Sequence, residues 1–290
     1  MKPLQSIIGV TAGLEEFDTM KTRVIAAAVL LPLLLITVLA LPQIITAVLA
    51  GVMMAIAAYE LLYGTGLVRH TRMLIYSMVM AFLVALWSYF GAQRSYALIG
   101  VTVFWVALFG EMMASHVKVS MDKVTMCLLA GLLIPYVFTS LVRIHNLYRG
   151  RFLILIPFVL AFLSDTGAYF AGRAFGRHKL APVISPHKTV EGVVGGVIAT
   201  MLGMVIYCFI LQVAFDFRVN YGYALIYGLL GSLGGVFGDL SFSVIKRQTG
   251  IKDYGNLIPG HGGILDRFDS MMVVGPLTEA LLLLIPVAVK

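Results

Sequence analysis

Apolar stretches of bilayer length recur in this chain from about residue 24 to its last residues, and they constrain it more than any motif does. Ile25–Leu41 and Leu281–Val289 carry no charged residue. A helix crosses the hydrocarbon core with about 20 mostly apolar residues. Hydropathy and flanking charge predict about nine spans, near 24–41, 44–64, 73–91, 96–115, 123–142, 152–172, 190–214, 221–245 and 270–289. The chain is 60% hydrophobic and only 12% charged, where a soluble domain averages about 25% charged. A water-soluble fold of this size would lack the polar groups to cover its surface. A soluble enzyme and a disordered chain are therefore excluded. A cleaved secretory signal before a polar chain is excluded too, because the apolar runs do not stop. The expected fold is an all-α polytopic integral membrane protein with about nine transmembrane helices.

Residues 1–19 stand apart, since Glu15, Glu16 and Asp18 prevent them from spanning. Met20-Lys21-Thr22-Arg23 before an apolar run reads like a second natural start, and 1–19 form an extension of unknown role. An odd number of spans puts the termini on opposite sides. Fifteen of the 21 Lys and Arg then fall on the N-terminal side and six on the other. The positive-inside rule places the N-terminus in the cytoplasm, together with the two richest loops, 173–189 and 246–269. The pI near 9.4 fits basic loops facing anionic lipid, and the lack of a long basic run argues against nucleic acid. Cys127 and Cys208 both lie in apolar spans and offer neither metal spacing nor a disulfide framework.

Five acids fall within expected spans: Glu60, Glu111, Asp165, Asp239 and Glu279, with Glu191 at the edge of another. An ionised carboxylate at mid-bilayer costs about 3 kcal/mol or more, so each should face a wet cavity or a partner. Glu60 and Glu111 fit bundle contacts as well as they fit a site, and Glu279 fits a helix-packing contact near a membrane end. Asp239 follows Gly231-Ser-Leu-Gly234-Gly235-Val-Phe-Gly238. Small residues four apart let helix backbones approach closely, and such a face can hold a charge in the protein interior.

The stretch after Asp239 is the most informative. It holds Ser243, Lys246-Arg247, Lys252-Asp253, Gly260-His261-Gly262-Gly263, Asp266-Arg267 and Asp269. Asp266 and Asp269 are i and i+3, so a helix would point both one way. Carboxylates sharing a direction repel unless a cation lies between them, and hard oxygen ligands suit Mg2+. Lys246, Arg247, Lys252 and Arg267 surround them. Bases beside a carboxylate-held metal suit a polyphosphate. The glycines let backbone N–H groups approach a ligand, and a helix starting near Ile264 would aim its N-terminal donors there. A plain basic loop with glycine turns is the competing reading.

A second loop repeats the theme. Asp165-Thr166-Gly167 is followed by Arg173, Arg177, His178, Lys179 and Ser185-Pro-His187-Lys188-Thr189, then Glu191. Thr189 or Ser185 can cap the next helix, whose N-terminus favours an anion beside Lys188. P-loop, zinc-hydrolase and serine-hydrolase motifs are all missing from the sequence. A secondary transporter would also carry embedded acids and glycine-rich spans, but the acids and bases here cluster in one loop–helix segment and no inverted repeat is evident.

Ser243–Asp269 resembles, without gap or mismatch, the signature of the bacterial phosphatidate cytidylyltransferases, also called CDP-diglyceride or CDP-diacylglycerol synthases. Ser164–Tyr169, Ser185–Gly192 and Gly238-Asp239-Leu240 are similar to the same family. The strong resemblance covers about 150–275. Residues 21–150 resemble the family in span pattern, with Glu60 in a Tyr-Glu-Leu setting, and 1–19 do not match. The resemblance implies a bacterial inner-membrane enzyme of phospholipid biosynthesis, with its active site facing the cytoplasm. Its reaction would be CTP plus phosphatidic acid to CDP-diacylglycerol plus pyrophosphate. It implies Mg2+, with K+ as the second member of a two-cation site, and a homodimer. On this resemblance 20–150 are N-terminal transmembrane helices and 151–290 the catalytic region. Asp239, Asp266 and Asp269 would hold metal, while Lys188, Lys246, Arg247, Lys252 and Arg267 would contact phosphates. Asp165 would position substrate, and Ser243 and His261 would meet the triphosphate or pyrophosphate. A cytidylyltransferase for an ether lipid and a CTP-dependent lipid kinase are the alternatives on a related scaffold.

Overall fold

The computed structural model describes residues 32–91, 94–115, 119–257 and 262–289. The extension 1–19 and His261 lie outside them. Among the described residues seven helices are long and apolar enough to cross a membrane. A helical stretch, α1 (32–39), precedes them and is the described part of the first expected span. The seven are α2 (Gln43–Gly64), α3 (Thr71–Phe90), α4 (Ser95–Ala114), α5 (Met121–His145), α6 (Gly150–Phe175), α7 (Val190–Phe215) and α8 (Tyr221–Gln248). Two shorter helices, α9 (Leu265–Phe268) and α10 (Met271–Leu284), follow. The protein is an all-α polytopic membrane protein.

The short loops force antiparallel neighbours, so functional loops gather at one end. There the tip of α2 meets the segment after α8, with Gly64 against the Tyr254 carbonyl. The antiparallel hairpin of β1 (Lys179–Ala181) and β2 (Ser185–Thr189) joins them, its Ile184 carbonyl accepting from Arg247 Nε at 3.2 Å. The opposite end pairs β3 (Arg218–Val219) with β4 (Ala288–Val289), and Gln43 Nε2 donates to the His145 carbonyl there. Loops 173–189 and 246–269 thus share one end, as their charge suggested.

Glycine sets the helix spacing. A Cβ at Gly195 of α7 would collide with Ala171 Cβ of α6, and one at Gly228 of α8 would lie 2.8 Å from the Met201 N of α7. The face on α8 that was legible in sequence receives two partners: Gly231 packs on Leu160 of α6, while Gly234 packs on Leu277 and Val273 of α10. Between these seams Ser164 and Ser232 satisfy each other at 2.8 Å. Gly195→Ala is expected to cost about 1–3 kcal/mol by overpacking, seen as a lower unfolding temperature in detergent. An unchanged transition would mean that the seam is looser than described.

The last expected span, 270–289, differs from the structure. Its helix holds 14 residues and ends at Leu284, before β4. At 1.5 Å per residue it is about 21 Å long, short of a hydrocarbon core of about 30 Å. The reason lies in where it starts. A Cβ at Gly238, ten residues before the end of α8, would lie 2.8 Å from the Asp269 carbonyl oxygen. By Asp269 and Ser270 the chain is therefore back inside the bundle, at a depth of about 15 Å. Irregular backbone is tolerable at that depth because it is lined by protein.

Candidate functional site

Three elements bring acids to the end of this re-entrant segment. Asp165 sits near the middle of α6, Asp239 nine residues before the end of α8, and Asp269 where α9 meets α10. Asp165 is exposed although it lies mid-helix, with exposed Phe162, Tyr169 and Phe170 close in sequence. The face of α6 that carries Asp165 is thus uncovered at the depth of the carboxylates. Burial, then the charge of Asp239, raise the Asp269 carboxyl from its ordinary range to about 7, and Asp165 adds to the effect. These three acids therefore feel one another's field.

Each carboxylate is held differently. Asp239 Oδ2 pairs with Lys188 Nζ, and its Oδ1 accepts from Ser243 Oγ at 3.2 Å. Asp269 Oδ1 accepts from its neighbour Ser270 N at 2.7 Å. Asp266 is buried and fully engaged: Oδ1 accepts from Lys246 Nζ at 3.0 Å, and Oδ2 from Tyr254 N at 2.8 Å and Gly263 N at 3.0 Å. Tyr254 closes this cage, with its hydroxyl donating to the Phe242 carbonyl at 2.9 Å and Lys246 Nζ 5.5 Å from its ring centroid. Burial first, then Asp266 and Asp269, push the Tyr254 hydroxyl up and keep it protonated.

This arrangement differs from the convergence expected of the i, i+3 spacing. Asp269 is within the field of Asp239, whereas Asp266 turns into the loop. Among the described residues no three His, Cys, Asp or Glu groups form a metal-holding cluster. The cause is the brevity of α9, four residues bracketed by backbone N–H groups that need acceptors. Lys188 and Lys246, expected on phosphates, are each ion-paired to a carboxylate here. Lys252 and Arg267 are exposed, as is Arg247 beside the hairpin.

The hairpin is anchored at its base. Thr189 caps α7 by accepting from Gly192 N at 3.1 Å, as its position predicted. Glu191 accepts from Arg177 N at 3.1 Å and His178 N at 3.2 Å, and pairs with His178 Nδ1 at 2.6 Å. These bonds place Lys188 over Asp239.

Glu60 is the functional residue that the sequence left ambiguous. Buried at the tip of α2, it accepts from Ile264 N at 3.0 Å and Leu265 N at 2.9 Å. It thereby caps α9 from across the molecule. Gly255 and Gly263 are needed beside it, because a Cβ at either would collide with its carboxylate. The other embedded acids have structural partners. Glu279 makes a bidentate pair with Arg143 at 2.7 Å, and Glu111 accepts from Arg72 and Tyr76.

Comparison with known proteins places this geometry. A phosphatidate cytidylyltransferase of Staphylococcus haemolyticus is 47% identical over 134 residues, covering 46% of this chain and 50% of the relative. Its counterpart in Staphylococcus aureus is 46% identical over 135 residues, covering 47% of this chain and 50% of the relative. The chain thus spans about half the length of these relatives in the alignments. A sequence model of the cytidylyltransferase family matches far more, residues 21–285, and so takes in both Glu60 and the loop it holds: the chain belongs to the cytidylyltransferase family.

Proposed function

We propose that the protein transfers a cytidylyl group from CTP to phosphatidate, giving CDP-diacylglycerol and pyrophosphate. The observation that carries this reading is the backbone contact of Gly238 with Asp269, which brings the acids of two separate segments into one another's field beside Lys188 and Asp165. The relatives' names supply the substrate class. A phosphatidate oxygen attacks the α-phosphorus of CTP, a new P–O bond forms, and the bond to the bridging α–β oxygen breaks with departure of pyrophosphate. The nucleophile is already anionic, so no strong general base is required. The obstacle is repulsion between anions.

Asp239 and Asp269 fit Mg2+, which commonly takes one or two carboxylates and completes its octahedron with water and phosphate oxygens. Burial and the neighbouring Asp239 both disfavour an ionised Asp269, and a bound cation would relieve both. When bound, Mg2+ would neutralise phosphate charge and stabilise the leaving group. The protein's own contribution is positional. Lys188 balances Asp239 and can turn to a phosphate oxygen. Exposed Arg247, Lys252 and Arg267 can bind the polyphosphate, and Asp266 holds Lys246 in place. The uncovered face beside Asp165 suits a substrate whose phosphate is polar and whose tails stay in lipid. Most of the chain's Lys and Arg belong to the site end, which favours a cytoplasmic site in a bacterial inner membrane.

The test is purified protein with labelled CTP and phosphatidate, with and without Mg2+ and K+. CDP-lipid and pyrophosphate in equal amounts are expected, lost on chelation and restored by Mg2+. A phosphorylated lipid with CDP as co-product would overturn the reading in favour of a lipid kinase.

A further inference from the structure

A polar cavity of about 540 Å3 opens between the N-terminus of α3 and the end of α4. It is lined by Arg69, His70, Thr71, Arg72, Glu111 and Ser115. It lies on the same end of the bundle as the signature loop, because loop 65–70 continues directly from Gly64 beside Tyr254. It shares no residue with the carboxylate site.

Its charge is unbalanced. Two guanidiniums and an imidazole face one carboxylate. Glu111 contacts Arg72 at 3.4 Å and His70 at 4.0 Å, while Arg69 has no carboxylate partner among the described residues. His70 is the N-cap of the 20-residue α3 and gives it no side-chain hydrogen bond. The uncapped N–H groups and the helix dipole therefore add to the basic side chains. Volume, charge and free donors suit a phosphate group. The surroundings suit its source: α4, which supplies Glu111, is the least buried of the seven long helices and offers an apolar track along the hydrocarbon. A free phosphate would gain nothing from that track, whereas a lipid would lay an acyl chain along it. Basic pockets at this level of a membrane bind anionic headgroups.

We propose that this cavity binds the phosphate of an anionic phospholipid headgroup, separately from the substrate lipid. Glu111 serves as its internal counter-ion and weakens the site by its charge.

The test is native mass spectrometry of the full-length protein titrated with phosphatidylglycerol, phosphatidylcholine or inorganic phosphate. Phosphatidylglycerol is used because phosphatidate would also enter the site proposed for chemistry, so the result does not depend on that reading. R69A/R72A is expected to bind phosphatidylglycerol at least about tenfold more weakly, the worth of about 1.4 kcal/mol, with phosphatidylcholine binding unchanged. R69K/R72K should retain most of the affinity, and Glu111→Gln should increase it. This last gain separates a binding site from a structural ion pair, which would be weakened by the same change. Equal phosphatidylglycerol binding in wild type and R69A/R72A would overturn the proposal. So would weaker binding in Glu111→Gln, or inorganic phosphate displacing the lipid at similar concentration, which would make this a free-phosphate site.

Discussion

Asp239→Ala is expected to reduce CTP-dependent pyrophosphate release by about 10²–10³-fold or more, the usual effect of deleting one preorganised electrostatic group. The substitution removes a carboxylate whose charge acts on Asp269 and leaves Lys188 and Ser243 without their partner. Asp239 and Lys188 are both partly exposed, so the protein should remain folded in the membrane. Asp269→Ala should behave alike. Wild-type turnover in either purified variant would strike that carboxylate from the site. Asp266→Ala should differ in kind. Its oxygens hold Lys246 and two backbone amides, so it should lower thermal stability as well as rate.

Glu60→Ala should give the largest loss of stability. It strips the acceptor from two buried N–H groups, at about 1–3 kcal/mol each, and releases the re-entrant loop from the N-terminal helices. Thermal unfolding in detergent and limited proteolysis at 249–257 would read this out. Gly263→Ala should reproduce much of the effect, since its methyl would occupy the space of the Glu60 carboxylate. The double variant should then be clearly less destabilised than the two single losses combined. Strict additivity would mean that the two positions do not share one cradle.

The membrane architecture and the identity of the polar loops were legible because burial in lipid forces long apolar runs, and because charge at depth is costly enough to be conspicuous. Asp165 and Asp239 stood out for that reason, and Asp269 for its i, i+3 spacing from Asp266. The α8 glycines at four-residue spacing likewise announced close packing. The role of Glu60 was not legible, because it depends on a contact between residues 60 and 264, and nothing local at either position names the other. The length of the last helix was misjudged for a related reason. Hydropathy at 270–289 cannot reveal that the segment before it has already carried the chain inward. The different orientations of Asp266 and Asp269 follow from amide donors at Tyr254 and Gly263, which i, i+3 spacing does not record.

The glycine seams have a consequence for how firmly the two acids are spaced. Where main chain rests on main chain, as Gly238 does on Asp269 and Ser270, no side chain lies between to rotate or compress. The gap between the acid on α8 and the acid on the re-entrant segment is a rigid gauge. It cannot widen without parting two backbones. The spacing of these two acids is thus set by the frame of the bundle and not by side-chain packing.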